Sequence, residues 1–505
     1  MDKVLSVFVV VAYVVVLTFV AVRARAARRF SEFSLARRAL PLALIFGSLA
    51  ATYVGPVFSI GFVGKGFESG FLFLGIGLAY AVQNILVGLF VAPRLRALPD
   101  CHTLGDAIGQ KYDRKCQIVA GIISVGLCAG FAAVMAKAGG VVLTDIFGLP
   151  IWSSVIIVVG VTALYTTSGG LRASVITDAF QFTTFAILLP VTLLFVLLFH
   201  LDGGTATFAR EASAATAGGL GSASLIEIVG LVALFLLGET LIPPYANRAL
   251  ASRTTRISRN GFILAGIFSV VWFMVMVALG ISARSILPEG TNEDYVLLDL
   301  VKSIMPASGY MLLLVVLVSI VMSSLDSLLN AGAVAFTEDI VKPFAELPDE
   351  TALNVGRCAT IVIAAIAAVG ALAVPSIISG LLICYTIWAP AILPALIIGL
   401  WVKRPRPLAG ILSMAVGTVV AIMLWIILWI IFKFVFPREI EIPPLIIIPA
   451  LVSALLAYIL GHWLARTEDR EQKTENRRQR TKDREQKTEN KRQRTKDREQ
   501  KTENR

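Results

Sequence analysis

Charge is scarce in this chain. Of 505 residues only 16% are Asp, Glu, Lys or Arg, while 57% are hydrophobic, and the mean hydropathy is +0.80. A soluble domain of that composition would expose large apolar patches, which excludes a water-soluble protein. Histidine is scarcer still: the chain has His102, His200 and His462, and no metal-binding constellation can be built from them. Cysteine is sparse, odd in number and scattered over Cys101, Cys116, Cys128, Cys358 and Cys384. Without a C-x-x-C, neither a disulfide framework nor a thiolate metal site is expected. No Ser-His-Asp arrangement and no glycine-rich phosphate loop is visible, which leaves a membrane enzyme without support. Lysines and histidines do not recur in the interiors of several apolar segments, which argues against an ion-pumping subunit of a respiratory complex. Acidic residues are outnumbered, 34 against 45 Lys and Arg. From Arg466 onward, 16 Lys and Arg against 10 Asp and Glu account for +6 of the net +11. Such a placement points to anionic lipid headgroups as partner rather than to nucleic acid.

What the chain does have is apolar sequence in blocks of about 20 residues or more, the length that crosses a hydrocarbon core. Thirteen such segments are predicted, from 4–22 to 443–465. The first, "VLSVFVVVAYVVVLTFVAV", is too long for a signal-peptide core and lacks a small-residue cleavage site, so it is expected to stay as a membrane helix. Lys and Arg gather in every second loop, with Arg248 counted among the loop cations. This alternation predicts a multi-pass protein of the cytoplasmic (inner) or plasma membrane, N-terminus outside and C-terminus in the cytoplasm. The tail carries a 14-residue charged repeat starting at Asp469, Asp483 and Asp497. It has no apolar face and is expected to be disordered or a marginal solvated helix.

Two segments are poor continuous helices. In "SLAATYVGPVFSIGFVG", Gly55-Pro56 removes a backbone donor in mid-membrane, and in "LFLLGETLIPPYANR", Gly238-Glu239 and Pro243-Pro244 do the same. Unwound backbone at that depth is tolerated only against protein or a wet cavity. Each break opens a group of five spans, and an odd number inverts the second group. The expected fold is therefore an all-α polytopic membrane protein with a five-plus-five inverted-repeat core whose first and sixth core helices are broken. The expected organisation is an extra N-terminal helix and basic loop (1–40), a first repeat (41–200), an extracellular loop (201–223), a second repeat (224–403), two C-terminal helices (404–465) and the cytoplasmic tail (466–505).

Polar residues inside the apolar blocks mark candidate sites. In "VMSSLDSLLN", Ser323, Asp326, Ser327 and Asn330 recur at helical spacing on one face, bordered by Ser324. One serine alone would bond back to its own helix; a set that includes an intramembrane carboxylate points to a cation site. Asp178, in "YTTSGGLRASVITDAFQ", follows the Gly169-Gly170 turn as a helix-dipole partner or a cation ligand. Glu239 beside the second break is expected to pair with a cationic substrate, carry a proton or satisfy unwound backbone.

"GGLRASVITDAFQ", "MSSLDSLLNAGAVAFTEDIVK" and "NRALASRTTRISRNG", in this order and spacing, resemble segments of the sodium/solute symporter family, and the resemblance covers about residues 4–465. It implies a Na⁺ site between the first and eighth core helices, formed by backbone carbonyls of Ala51, Val54 and Ile320 with the hydroxyls of Ser323 and Ser324. It further implies a second Na⁺ site at Asp178, Ser323, Asp326 and Ser327. At 326 this chain has Asp where members with that site carry a small hydroxyl residue, so Asp326 is a further Na⁺ ligand or a proton acceptor. Sugar-transporting members carry amides and carboxylates in the unwound first core helix. Here Tyr53-Val54-Gly55-Pro56-Val57-Phe58 is nearly apolar and would leave sugar hydroxyls unpaired. Tyr53, Tyr80, Gln83, Asn84, Glu239, Tyr385, Thr386 and Trp388 are the candidates to face a substrate cavity. The expected function is a Na⁺-coupled symporter for a small carboxylate, amino acid or related metabolite. Coupling to H⁺, or a sensing receptor without transport, are the alternatives. No obligate protein partner is inferred.

Overall fold

The computed structural model describes residues 3–23, 27, 29–201, 203–434, 444–467 and 486–488. The charged repeat of the tail lies almost wholly outside the described residues, as do Arg25 and Arg28 of the first basic loop. Among the described residues the named elements are all helices. Those of nine residues or more run α1 (Lys3–Arg23), α2 (Leu42–Tyr53), α3 (Val57–Ser69), α4 (Phe71–Arg96), α5 (Arg114–Phe147), α6 (Ile151–Phe199), α7 (Thr205–Ser222) and α8 (Leu225–Leu237). After these come α9 (Pro243–Ala251), α10 (Thr255–Ala283), α11 (Val296–Ile304), α12 (Ala307–Val341), α13 (Asp349–Ala371), α14 (Ile377–Trp401), α15 (Pro407–Phe434) and α16 (Pro444–Thr467).

Nine of these helices are individually long and apolar enough to cross a bilayer. Helix α12 is the central rod: 89% of its most apolar window is buried in protein, against 22% for α6. It packs between α5 and α6, so its polar face meets protein and not lipid.

Both expected breaks are present, and each follows from its glycine and prolines. Helix α2 stops at Tyr53 and the chain resumes as α3 bent by 59°. Pro56 offers no N–H to the turn before it, and the residue ahead of a proline is pushed out of helical geometry. A Cβ on Gly55 would lie 2.5 Å from Ser324 Oγ, so α12 packs directly against the break. Helix α8 ends at Leu237, and α9 restarts on Pro243 at its first position, where a missing N–H costs nothing. Between them Leu241 adopts a left-handed conformation (φ 51°).

Helix α6 carries two of the predicted segments. At 49 residues it is far longer than a membrane is thick, and it turns at Gly170 (φ 58°, ψ −159°). Only glycine fits there: a Cβ would meet Phe33 Cα at 2.6 Å and Phe33 O at 2.8 Å. The turn thus anchors the arm that carries Asp178.

Two stretches between predicted spans contain helices of their own. Residues 201–223, predicted as a loop, contain α7, which meets α8 at 104°. Its scattered alanines form helix readily, yet it has no continuous apolar stripe for the sequence to reveal. It is held by contact, with Ala212 and Ala215 buried and the Thr216 hydroxyl accepting from Phe71 N at 3.0 Å. The stretch between α10 and α12 holds α11, whose Val296, Leu297, Leu300 and Val301 are buried.

Gly170→Ala is expected to destabilise the fold by on the order of 1–3 kcal/mol from the backbone conformation alone. Overlap with Phe33 adds to this. The thermal unfolding midpoint of the purified protein should fall, while Gly160→Ala, whose Cβ meets nothing within 4 Å, leaves it unchanged.

Candidate functional site

Where α2, α6, α9 and α12 meet, one polar cluster is closed off from solvent. Asp178, Asp326 and Arg248 are each 0% exposed. Arg248 Nη2 donates to Asp178 Oδ2 at 2.9 Å, and Arg248 Nε donates to Ser48 Oγ at 2.8 Å. Ser48 in turn donates to Asp178 Oδ2 at 2.5 Å, and Ser323 donates to Asp178 Oδ1 at 2.6 Å. Arg248 Nη2 also reaches the hydroxyl of Ser327. Among the described residues Asp326 is served by hydroxyls alone: Ser174 at 2.9 Å, Tyr165 at 3.0 Å and Ser327 at 3.1 Å. With both carboxyls ionised the three residues carry one net negative charge, in a place where an uncompensated charge is expensive.

The structure brings Asp178, Ser323, Asp326 and Ser327 together but separates Asn330 from them. The Asn330 amide points instead to Phe33 O at 3.4 Å. Ser324 lies against the break between α2 and α3, beside Gly55. Its hydroxyl is buried and has no hydrogen-bond partner among the described residues. Ala51, Val54 and Ile320 are also buried around this point, and Val54 O accepts from Ser59 at 2.6 Å.

The second break frames a separate cluster. Glu239, 5% exposed, accepts hydrogen bonds from Tyr245 at 2.5 Å and from Tyr385. Tyr80 and Tyr245 share a hydrogen bond of 2.9 Å. Tyr53 lies edge-on to Tyr245 with ring centroids 4.5 Å apart, and Phe58 stacks on Tyr80 at 4.4 Å. The backbone freed between α8 and α9 is partly satisfied by Trp388 Nε1, which donates to Thr240 O at 3.1 Å. Gln83 Nε2 donates to Thr240 Oγ1 at 2.6 Å. The predicted Tyr53, Tyr80, Gln83, Glu239, Tyr385 and Trp388 therefore share one neighbourhood, with Asn84 buried one residue further along α4. Thr386 only bonds back to Leu382 O at 2.8 Å.

Sequence reasoning missed Arg248, Tyr245, Thr240, Ser48, Tyr165 and Ser174. Arg248 is the instructive case. It counts as a loop cation in the chain's charge pattern, yet α9 carries it back into the protein. The available signal was its place five residues after the Pro243-Pro244 restart, on the same short helix as Tyr245.

An all-helical bundle with two broken helices opposed to a buried polar face defines a secondary membrane transporter. The sodium:solute symporter family model matches residues 33–432, and the chain belongs to that family. It is 24% identical over 484 residues to the sodium/pantothenate symporter of Escherichia coli, covering 90% of this chain and 95% of that one. It is 26% identical over 391 residues to an osmoregulated proline transporter of Bacillus subtilis, covering 72% and 77% respectively. The fold is similar to that of a Na⁺-coupled sialic acid symporter solved in a substrate-bound outward-open state. That likeness has a TM-score of 0.75 at 18% identity and covers 91% of this chain and 98% of that chain.

Arg248→Ala leaves the buried Asp178 carboxylate without its counter-charge and is expected to cost on the order of 3–5 kcal/mol. Adding Asp178→Asn to that variant should recover part of the loss. Thermal unfolding of the two single variants and the double variant checks the coupling, and strict additivity would count against it.

Proposed function

We propose that the protein is a Na⁺-coupled symporter that imports a small organic solute by alternating access. A carboxylate, amino acid or related metabolite fits it better than a sugar. The single observation that carries the coupling is the charge balance at the centre of the bundle: two buried carboxylates against one guanidinium. One monovalent cation neutralises the excess, and the surrounding hydroxyls are the hard oxygens that Na⁺ requires.

In this reading one Na⁺ binds at the first break, to the carbonyls of Ala51, Val54 and Ile320 and the hydroxyls of Ser323 and Ser324. The orphaned Ser324 hydroxyl supports that assignment, because a buried oxygen without a partner is costly unless a ligand meets it. A second Na⁺ would use Asp178, Ser323, Asp326 and Ser327, while Arg248 keeps its pairing with Asp178. Ser323 belongs to both sets, which links the two sites. Na⁺ binding favours the outward-open arrangement by differential affinity, and solute then occludes between the two broken helices, α4 and α14. Release runs past Asp178 toward the cytoplasm, with the N-terminus outside and the C-terminus inside. The aromatic lining of the second break supports a compact solute: it leaves few polar groups for the many hydroxyls of a sugar.

The hydroxyl-only shell of Asp326 favours a second reading, because a proton on that carboxyl would neutralise the cluster as well as Na⁺ does. Uptake into proteoliposomes separates the two. A Na⁺ gradient is expected to drive accumulation at equal pH, whereas uptake that follows only a pH gradient and is abolished in Asp326→Asn makes H⁺ the coupling ion. Ser323→Ala and Asp178→Asn are each expected to raise the Na⁺ concentration for half-maximal uptake by about tenfold, the effect of losing one strong ligand. Unchanged apparent Na⁺ affinity in both variants would remove the site assignment.

A further inference from the structure

The two buried acidic centres are compensated differently. Asp178 has Arg248 within hydrogen-bond distance. Among the described residues, Glu239 has no Lys or Arg as an ion-pair partner, and its oxygens are met by the hydroxyls of Tyr245 and Tyr385. We propose that Glu239 and the tyrosines around it hold the ammonium group of the transported solute, so that the substrate is a small zwitterion or organic cation. This inference rests on the symporter reading for the location of the solute site and narrows its substrate class.

Three independent features point the same way. A carboxylate lodged among aromatic rings at membrane depth calls for a positive charge, and the described residues supply no ion-pair partner there. The rings themselves attract one: Tyr53, Tyr245, Tyr80 and Phe58 form a connected set with neighbouring centroids 4.4–5.8 Å apart, and aromatic faces bind cations. The unsatisfied polar atoms nearby are also of the right kinds. Among the described residues Gln83 Oε1 is a buried acceptor without a donor and suits an ammonium N–H. Among the described residues the Tyr53 hydroxyl is a buried donor without an acceptor and suits the carboxylate of a zwitterion. A simple anion would meet repulsion from Glu239, and a neutral polyol would leave that charge uncompensated.

A proton bound permanently to Glu239 is the competing explanation, and glutamine is the uncharged mimic of that state. The test uses the purified full chain and its thermal unfolding midpoint in NaCl and in KCl. The ammonium-bearing probes are L-proline, glycine betaine and choline; pantothenate serves as anion and D-glucose as polyol. At least one ammonium-bearing probe should stabilise the protein in NaCl, and pantothenate and glucose should not. Glu239→Gln should weaken the apparent affinity for the responding probe at least tenfold. In the unaltered protein, n-propylammonium should compete with that probe and propionate should not, a comparison that needs no variant to fold. The proposal is overturned if none of the three ammonium probes stabilises, if only pantothenate or glucose does, or if Glu239→Gln keeps the full response. Equal stabilisation in NaCl and KCl would instead sink Na⁺ coupling and leave the ammonium assignment standing. Na⁺-dependent stabilisation by pantothenate alone would do the reverse.

Discussion

Arg248 and Asp178 face each other at 2.9 Å with neither side chain exposed at all, and much of the core is arranged around keeping them so. Removing both charges from water costs far more than one contact returns, so every remaining donor and acceptor needs a partner. Ser48 from α2, Ser323 and Ser327 from α12 and Pro244 O from α9 supply those partners. Four elements distant in sequence are thereby held in one register. This also explains why α12, rich in serine and carrying an aspartate, is the most deeply buried of the long helices: its polar face has protein partners and never meets lipid.

The two broken helices extend the same logic to the backbone. Unwinding releases carbonyls and N–H groups that lipid cannot satisfy. At the first break α12 closes in so tightly that residue 55 has no room for a Cβ, and an unpartnered serine hydroxyl is left against the break. At the second, Trp388 and Gln83 reach in from neighbouring helices to Thr240. The breaks thus produce two chemically distinct places a short way apart in the bundle. One is lined with small hydroxyls and has its own guanidinium. The other is lined with aromatic rings around a carboxylate that has no ion-pair partner among the described residues. An ion and an organic solute make different demands, and the two places differ in the same respects.

The pattern of Ser323, Asp326 and Ser327 was legible because helical spacing alone puts them on one face, and α12 is helical throughout that stretch. Asn330 obeys the same spacing and yet bonds elsewhere, since which neighbour a face meets changes along a helix of this length. Gly55-Pro56 and Pro243-Pro244 were legible because proline's missing N–H acts locally. Helices α7 and α11 were not, because one lacks an apolar stripe and the other is too short to stand out from a loop. Arg248 was misplaced for a deeper reason: a charge pattern counts arginines on the premise that they stay in water, and only a carboxylate 70 residues away in the chain makes burying this one tolerable.

By itself the sequence determined a multi-pass helical membrane protein, where its two helices must break, and which helix carries a polar face. Those properties depend on hydrophobic length, on proline and on helical period, all of which act within a few turns of chain. The tertiary structure alone decided which charges are paired, that Tyr245 and Tyr385 converge on Glu239, and that Ser323 bonds Asp178 while Ser324, next to it in sequence, lies against Gly55. Electrostatics in a medium without water depends on distances of a few ångströms between segments far apart along the chain, and no local pattern encodes them.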